Sequence, residues 1–346
     1  MRETTKANFL RRPPWRTIIP GAAFLIVVFA AYFLWFPGLD IRDGRHDKEH
    51  NAIWIGHGWL GGDDWFIRNG KTNEIANFRD PVQIQKLAAK LRAYHITDVF
   101  PHLCPSEPDG SLPPVDSKQI ERFLDGFAGF RVIPWVGGPN GGNVRLNNAK
   151  WRAAFINNIR ALLEAHPRFA GIHLNVEPLP SGDTNFLQFL DELRKGIPRE
   201  KILSIAAYPP PTWWQKAEDV HWDEAYFREV ARHSDQMVVM MYDVGQRIPK
   251  TYIKLMADWT PEALSWSEGK QVLLGIPVYE DTGVDYHNPK TENIQNALLG
   301  IHRGLSRQPL PTNYQGVAIY SEWEMDESKW QLFQNHFLNS ASIPSN

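Results

Sequence analysis

Three polar residues alternate with aliphatic residues in one short segment of the chain, His173-Leu174-Asn175-Val176-Glu177. Successive side chains of a β-strand point to opposite faces, so His173, Asn175 and Glu177 should share one face. Three buried polar groups are costly unless they are hydrogen-bonded or serve a site. Glu177 stands last in the segment and is predicted to be a general acid, because partial burial raises the pKa of a carboxyl group towards neutral pH.

This segment belongs to one of eight apolar, β-rich runs that alternate with amphipathic stretches. Such alternation is typical of parallel strands joined by crossover helices. Eight units predict an α/β fold of the (β/α)8 TIM-barrel type, whose sites lie at the carboxyl ends of the strands. A doubly wound sheet is disfavoured, because the Gly-rich segment after the first run lacks the G-x-G-x-x-G spacing. The predicted strands are Ala52–His57, Ile96–His102, Arg131–Val136, Ala170–Glu177, Ile202–Tyr208, Gln236–Asp243, Gln271–Tyr279 and Gly316–Trp323.

The stretches between these runs have the spacing of helices. Pro81–Tyr94 begins after Asp80, a predicted N-cap, and Trp151–Ala165 carries one apolar stripe. No internal repeat or low-complexity tract interrupts residues 51–340, so one barrel domain is predicted there. Further helices are predicted at Lys118–Asp125, Asn185–Arg194, Asp223–Arg232, Pro261–Trp266, Thr291–Leu305 and Asp326–Leu338.

The residues before the barrel differ in character. Thr17–Phe36 is uncharged, and at ~1.5 Å per residue it is long enough to cross a ~30 Å hydrocarbon core. Residues 1–16 are basic, so the positive-inside rule predicts a cytoplasmic tail at 1–16, a transmembrane signal anchor at 17–37 and a barrel outside the cytoplasm, periplasmic or extracellular. A cleaved signal peptide is the alternative, but no small-x-small site follows Leu34. Residues 38–50 are predicted to be a polar linker.

The composition excludes some classes of partner. A formal net charge of −2 gives no basic field, so nucleic acid is not an expected partner. The single cysteine, Cys104, cannot form an internal disulfide, and no Cys/His spacing predicts a metal or cofactor site. The chain has 14 Trp residues. Because the apolar faces of sugar rings pack on flat aromatic surfaces, this excess favours a polysaccharide or oligosaccharide partner.

The segment Ala170–Glu177 resembles the fourth-strand signature D-x-x-D-x-D-x-E of glycoside hydrolase family 18, the chitinase-like TIM barrels. Glu177 matches the signature, whereas Ala170, His173 and Asn175 stand in place of its three aspartates. The resemblance is therefore to a divergent member of that superfamily.

Other strands carry the same resemblance. Met240-Met241-Tyr242-Asp243 matches the family's sixth-strand M-x-Y-D, and Leu274–Tyr279 and Gly316–Tyr320 resemble its seventh and eighth strands. Tyr320 occupies the eighth-strand position under the sugar, where the family usually has Trp. The likeness extends from about residue 51 to the last helix.

The resemblance implies a glycosidase that cleaves β-linked N-acetylhexosamine glycans with help from its substrate. Glu177 would protonate the glycosidic oxygen while the substrate's 2-acetamido oxygen attacks the anomeric carbon. Asn175 would orient that acetamide and Tyr242 would donate its hydroxyl to the acetamide oxygen. An Asn can hold an amide by hydrogen bonds but does not stabilise positive charge as an Asp does.

Further substrate contacts are expected from side chains near the ends of the strands. His57, Asp98 and His102 also lie there, but each is expected to be a satisfied structural polar group. A metal site formed by His57, His102 and His173 is disfavoured because no second-shell partner is evident. The predicted substrate-binding residues are His173, Asp243, Met240, Trp59, Trp135, Tyr208, Tyr320, Trp323 and Glu280.

Two other functions stay open at the level of sequence. A retaining glycosidase would use Glu177 as acid/base and Glu280 as nucleophile, with the carboxyl groups ~5–5.5 Å apart. A non-catalytic sugar-binding protein would keep only aromatic recognition, because a shared fold does not guarantee activity. The presence of Glu177 argues against this last reading, since a protein that only binds sugar needs no proton donor.

Overall fold

Parallel strands form one curled sheet in the computed structural model, which describes residues 15–34, 43–212, 218–307 and 309–338. The strand order is β3-β2-β1-β9-β8-β7-β6-β5-β4, and every pair of neighbours is parallel. The strands are Asn51–Ile55 (β1), Ile96–Pro101 (β2), Arg131–Val132 (β3), Trp135–Pro139 (β4), Gly171–Glu177 (β5), Ile202–Ala207 (β6), Gln236–Met240 (β7), Gln271–Pro277 (β8) and Tyr314–Tyr320 (β9).

The two end strands, β3 and β4, are parts of the third predicted strand. They are separated at Ile133 and Pro134, and proline has no N–H for a ladder. The Ile133 N–H donates to the Val99 carbonyl oxygen of β2 at 2.9 Å, and the His173 N–H of β5 donates to the Pro134 carbonyl oxygen at 2.9 Å. This interrupted segment therefore hydrogen-bonds to both edges of the sheet, as in a TIM-barrel-like α/β fold. The eight predicted strands are confirmed, the third of them as the pair β3 and β4.

Helices cover the outer face of the sheet and build most of the core. The inward-facing apolar cluster includes Trp54, Phe100 and Trp135. The larger cluster between strands and helices contains the three aliphatic residues that alternate with the polar residues of β5, Ile172, Leu174 and Val176. Alternation along β5 therefore directs its polar side chains into the barrel, as its sequence predicts.

Asp and Asn side chains begin most of these helices. The side chains of Asp80, Asp116, Asn148, Asp183, Asp223, Asn293 and Asp326 each accept a bond from a first-turn N–H. The helices of the barrel are Asp64–Arg68 (α2), Ile75–Arg79 (α3), Pro81–Ala93 (α4), Ser117–Gly126 (α5), Ala149–Ala165 (α6), Thr184–Gly196 (α7), Glu224–His233 (α8), Pro249–Trp266 (α9), Ile294–Leu305 (α10) and Glu327–His336 (α11), and a helix at Trp15–Leu34 (α1) precedes them.

One predicted helix is much too short. Pro261 was expected to begin a helix, but it lies inside α9, which begins at Pro249. Tight packing against α10 outweighs the local cost of the proline. A Cβ on Gly300 would lie 2.3 Å from the Cβ of Met256, and one on Gly304 would lie 2.6 Å from the Cβ of Thr260. The short helices α2 and α3 were not predicted, because five residues are too few to show a helical period.

The chain divides into an N-terminal unit and the barrel unit. Its helix α1 overlaps the segment predicted to be a signal anchor. Among the described residues, no helix has both the length and the apolar content needed to cross a bilayer. The predicted transmembrane helix at 17–37 is therefore not supported. Residues 1–14 of the predicted tail, residues 35–37 of the predicted anchor and residues 38–42 of the predicted linker lie outside the described residues.

The described part of the predicted linker is packed onto the barrel unit. Asp47 pairs with His95 at 2.5 Å, and the Tyr314 hydroxyl donates to the carbonyl oxygen of His46 at 3.1 Å. His46 is itself buried, and its Nδ1 lies 2.6 Å from that of His302. Residues 43–50 thus belong to the folded unit, because their polar groups find partners there.

Candidate active site

Glu177 ends β5 at the mouth of the barrel, where two neighbours hold its carboxyl group. The Asn175 Nδ2 donates to Oε1 at 2.7 Å, and the Tyr208 hydroxyl donates to Oε2 at 3.3 Å. Solvent reaches this side chain, but the concave protein wall around it excludes most of the surrounding water. This desolvation raises the pKa of Glu177 above its ordinary value, the hydrogen bond from Asn175 lowers it, and the charge of Asp243 raises it again. A glutamate with a raised pKa is suited to donate a proton near neutral pH.

Asn175 is held against β4 by a glycine. Gly137 pairs with Asn175 and has a φ of +116°. A Cβ at this position would lie 1.9 Å from the Asn175 carbonyl oxygen, so only glycine fits. The Asn175 Oδ1 is buried and has no hydrogen-bond partner among the described residues. Because a buried amide oxygen without a donor is costly, this atom is suited to accept a hydrogen bond from a ligand.

Tyr242 follows β7 and lies against the aromatic residue of the eighth predicted strand. Its ring stacks on Tyr320, with centroids 5.6 Å apart and planes 17° apart. Burial, followed by the charges of Tyr320, Asp243 and Glu177, raises the pKa of Tyr242 well above its ordinary value. The phenol therefore keeps its proton and can donate a hydrogen bond.

A cavity of about 810 Å³ lies over Glu177 and brings several predicted site residues together. Tyr208, Met240, Tyr242 and Asp243 line it with Glu177. The residues that the sequence did not predict come from loops at the mouth of the barrel. The only sequence signal for Asp285 and Tyr286 is the long connection between β8 and α10. The additional lining residues are Pro178, Pro209, Val220, His221, Val244, Gly245, Asp285 and Tyr286.

The other predicted site residues occupy three different surroundings. Trp135 and Tyr320 lie inside the barrel mouth, with ring centroids 6.1 Å apart, and Trp323 is half exposed beside Tyr320. Trp59 is buried among the rings of Phe78 and Phe123, where its indole face is covered. Trp59 is therefore not among the residues that line the cavity over Glu177, and its contact with substrate stays a prediction.

Glu280 is also separated from Glu177. Its side chain is exposed and pairs with Lys329 at 2.9 Å. It lines a different pocket, with Tyr279 and Lys290. The structure thus does not bring Glu280 into the cavity that Glu177 lines, although Glu177 is the last residue of β5 and Glu280 follows β8.

His173 is a structural residue of the barrel interior rather than part of the cavity lining. The Ser204 hydroxyl donates to the Gln236 Oε1 at 2.6 Å, so its oxygen accepts from the His173 Nδ1 at 2.9 Å. Burial lowers the pKa of His173 to about 3, and the ring is neutral. The same chain of bonds continues to the Asp98 carboxylate, to which the Gln236 Nε2 donates at 2.7 Å.

The Asp98 carboxylate forms an ion pair with an arginine of the neighbouring strand. Arg131 donates to both carboxylate oxygens at 2.6 and 2.7 Å, and its third nitrogen donates to Gln271 at 3.1 Å. Asp98 is therefore a satisfied structural polar group, as expected. We refer to Asp98, Arg131, Ser204, Gln236, Gln271 and His173 as the interior network.

A second, smaller pocket of about 140 Å³ lies beside the loops after β1 and β2. The rings of His57 and His102 are 3.7 Å apart there, and the Cys104 Sγ lies 3.4 Å from the His102 Nε2. Burial lowers the pKa of His57 to about 4 and that of His102 well below its ordinary value. The two rings are neutral, and His173 is held apart from them by the interior network, so these three histidines do not form a common site.

One group of three possible metal ligands lies together among the described residues, Asp243, His287 and Glu292. The sequence reasoning missed His287 and Glu292, because both lie in the connection between β8 and α10 and no spacing relates them to Asp243.

Comparison with known proteins rests on structure alone. No family model matches the sequence, and no curated protein matches it significantly. The Bacillus megaterium QM B1551 spore cortex-lytic enzyme SleL aligns with a TM-score of 0.55 at 16% identity, covering 88% of this chain and 76% of that one. A class V chitinase from Pseudomonas fluorescens Pf-5 aligns with a TM-score of 0.55 at 15% identity, covering 83% and 99%.

A third similar solved structure carries a family designation, GH18, in its own name. The GH18 chitinase ChiB from the chitin utilization locus of Flavobacterium johnsoniae aligns with a TM-score of 0.51 at 13% identity, covering 83% of this chain and 93% of that one. Identities this low carry the fold and not the activity. The chain thus has a TIM-barrel-like fold similar to that of these chitinase-like solved structures.

Proposed function

We propose that this protein is a glycoside hydrolase that cleaves β-linked N-acetylhexosamine glycans, with Glu177 as the general acid and base. The observation that carries the proposal is the pairing of Glu177, which lines a cavity of about 810 Å³, with Asn175, whose Oδ1 is buried and has no hydrogen-bond partner among the described residues. The acetamide N–H of an N-acetylated sugar is a donor of the kind that this oxygen lacks.

The proposed reaction has two steps. Protonated Glu177 gives its proton to the glycosidic oxygen as the bond between that oxygen and the anomeric carbon breaks, while the acetamide oxygen bonds to the anomeric carbon. Water then attacks the anomeric carbon, releases the acetamide oxygen and gives a proton to the Glu177 carboxylate. Because the substrate supplies the nucleophile, no second protein carboxylate is required.

Tyr208 and Tyr242 support this chemistry from the two sides of the glutamate. Tyr208 contacts the Glu177 carboxyl group directly and would hold its rotamer. Tyr242 lines the same cavity and keeps its proton, so its hydroxyl would donate to one lone pair of the acetamide oxygen and hold that oxygen towards the anomeric carbon. Preorganised donors of this kind are effective because they need no reorganisation during the reaction.

The substitution Glu177→Gln tests the proposal. The assay follows cleavage of a β-1,4-linked N-acetylglucosamine hexasaccharide and of 4-nitrophenyl β-glycosides with either a 2-acetamido or a 2-hydroxyl group. We expect wild-type turnover of the acetamido substrates alone, and a loss of about 10²–10⁴-fold on the hexasaccharide in the variant, the usual contribution of a general acid. Unchanged turnover of the hexasaccharide in Glu177→Gln would contradict the assignment.

The same assay separates the two alternatives. Glu280→Gln abolishes activity if Glu280 is the nucleophile, and in that case glycosides with a 2-hydroxyl are cleaved as well. The pairing of Glu280 with Lys329 outside the cavity speaks against this mechanism. Binding of the hexasaccharide without turnover by the wild type would instead identify a sugar-binding protein, a result consistent with the loss of the aspartates replaced by His173 and Asn175.

The place where the barrel acts stays a prediction. Its export rests on the excess of basic residues before Thr17. A protease added to cells whose outer membrane, where they have one, has been permeabilised should digest an exported barrel, whereas a barrel inside the cytoplasm would be protected by the intact inner membrane.

A further inference from the structure

We propose that His221 is a substrate-binding residue of the cavity over Glu177, and that its Nε2 accepts a hydrogen bond from a hydroxyl group of the bound glycan. This inference rests on the proposed function, because it treats that cavity as the glycan site. His221 takes no part in the proton transfer described above, and it is not among the site residues that the sequence predicts.

The connection between β6 and α8 holds the His221 ring in place. The Nδ1 of His221 lies 3.3 Å from the carbonyl oxygen of Pro209, which also accepts from the backbone N–H of Trp222 at 3.2 Å. The Trp222 Nε1 donates to the carbonyl oxygen of Leu179 at 3.1 Å. His221 and its neighbour are thus bound to the segments that follow β6 and β5, at the wall of the cavity that His221 and Pro209 line.

The contact with Pro209 identifies the ring nitrogen that carries the proton. A carbonyl oxygen only accepts hydrogen bonds, so the Nδ1 of His221 donates to it. Burial lowers the pKa of His221, although the carbonyl groups of Pro209 and Pro210 raise it, so the ring is neutral at pH 7. A neutral imidazole carries one proton. The Nε2 therefore has a lone pair and can only accept a hydrogen bond.

This acceptor has no hydrogen-bond donor in the part of the chain that the structure describes. Only 4% of His221 is exposed, and a buried acceptor without a donor is costly. The indole of Trp259 lies nearby, with its ring centroid 6.0 Å from that of His221. The Trp259 N–H also has no partner among these residues, so the two groups do not bond to each other. A donor that enters the cavity can satisfy Nε2.

The position of His221 in the cavity indicates which donor this is. His221 lies on the side of Tyr208, whose ring packs edge-on against Trp222 at 5.7 Å and whose hydroxyl donates to Glu177. A sugar held beside Glu177 therefore presents its hydroxyl groups to this wall, and a hydroxyl group can donate to Nε2. With the acetamide N–H assigned to Asn175, the two buried acceptors bind different donors of one substrate.

Nuclear magnetic resonance of the full chain tests the acceptor directly. Glu177→Gln, which lacks the proton donor, is labelled with ¹⁵N-histidine and titrated with the β-1,4-linked N-acetylglucosamine hexasaccharide. The His221 ring is assigned by its absence when His221→Asn is added. We expect the proton on Nδ1, and an upfield shift of the Nε2 resonance on binding. A proton on Nε2, or an Nε2 resonance that changes in Trp259→Phe but not on binding, would overturn the proposal.

Two substitutions separate recognition from folding. In His221→Asn the amide N–H can keep the bond to Pro209 but no acceptor replaces Nε2, whereas in His221→Gln the amide oxygen can restore that acceptor. On the hexasaccharide we expect KM to rise about tenfold in His221→Asn with little change in kcat, and most of this loss to be recovered in His221→Gln. The control is His166→Asn, which removes a buried histidine that pairs with Glu121 at 3.0 Å and does not line the cavity. Equal KM values in His221→Asn and His166→Asn would contradict the role in binding.

The outcomes distinguish this inference from the proposed function. Saturating binding of the hexasaccharide that leaves the His221 resonance unchanged refutes the role of His221, even if the wild type cleaves N-acetylated glycans. The expected shift in a protein whose wild type cleaves no glycan refutes the proposed hydrolysis and supports His221 as a sugar-binding residue. Absence of both binding and turnover refutes the two together. The titration of Glu177→Gln, which retains His221, decides the question even where a His221 variant does not fold.

Discussion

The contact between Gly137 and Asn175 allows a sharp test of how closely the two site strands must approach. In Gly137→Ala, the new Cβ would start 1.9 Å from the Asn175 carbonyl oxygen, whereas ordinary contacts begin at 3.4 Å. The strands β4 and β5 must therefore separate by about 1.5 Å at this point, or the backbone of Gly137 must leave its φ of +116°. Either change moves the strand that carries Asn175 and Glu177.

The size of the effect follows from these distances. A misplacement of ~1 Å at a reacting group costs roughly 100-fold in rate, so we expect kcat/KM on an N-acetylated substrate to fall by about that factor. Left-handed backbone strain costs about 1–2 kcal/mol, and overpacking costs about 1–3 kcal/mol. The free energy of unfolding should therefore fall by ~2–5 kcal/mol in Gly137→Ala.

A second glycine provides the matched control. Gly141 also has a positive φ, +79°, but a Cβ there would meet nothing within 4 Å. In Gly141→Ala the free energy of unfolding should fall only by the backbone strain of about 1–2 kcal/mol, and nearly all of the activity should remain. Steady-state kinetics and urea unfolding of the two variants give both quantities. If Gly137→Ala is folded and its kcat/KM lies within threefold of that of Gly141→Ala, close packing of β4 on β5 does not position the site.

Three further predictions follow from the same geometry. Tyr242→Phe removes the hydroxyl proposed to orient the acetamide oxygen for attack, so kcat should fall by about 10²-fold with little change in KM, as measured by steady-state kinetics. Activity should also fall as the pH rises through the raised pKa of Glu177, because the general acid must be protonated. A pH–rate profile without a fall in activity on its alkaline side would contradict this. Asp98→Ala leaves the Arg131 cation without its partner and should lower the free energy of unfolding by ~3–5 kcal/mol in urea titrations, whereas the pairing would be dispensable if the loss were under 1 kcal/mol.

Much of the fold could be predicted because strand periodicity is local. Each apolar run of the sequence corresponds to a strand, and alternation in β5 correctly placed His173, Asn175 and Glu177 on the interior side. The carboxyl ends of parallel strands share one edge, so Tyr242 and Glu177 were expected together, and they line one cavity.

What the sequence could not predict depends on contacts distant along the chain. Trp59 and Glu280 follow strand ends, as site residues do, yet Trp59 turns into the core and Glu280 pairs with Lys329. Conversely, His287 and Glu292 reach Asp243 only because the connection between β8 and α10 folds back over the loop after β7. The periodicity of apolar residues does not predict how this connection folds, so the contacts between the loops around the cavity could not be predicted from the sequence.

The interior network has a consequence for how such a barrel can change over time. It ties together side chains from six strand segments, β2, β3, β5, β6, β7 and β8, at a level below the loops that surround Glu177. Strand register is thereby secured independently of those loops. Insertions or substitutions in the loops that surround Glu177 can accordingly alter which ligand binds while the strands below them stay in register. These loops, and not the strands, are therefore the place to introduce a new ligand specificity.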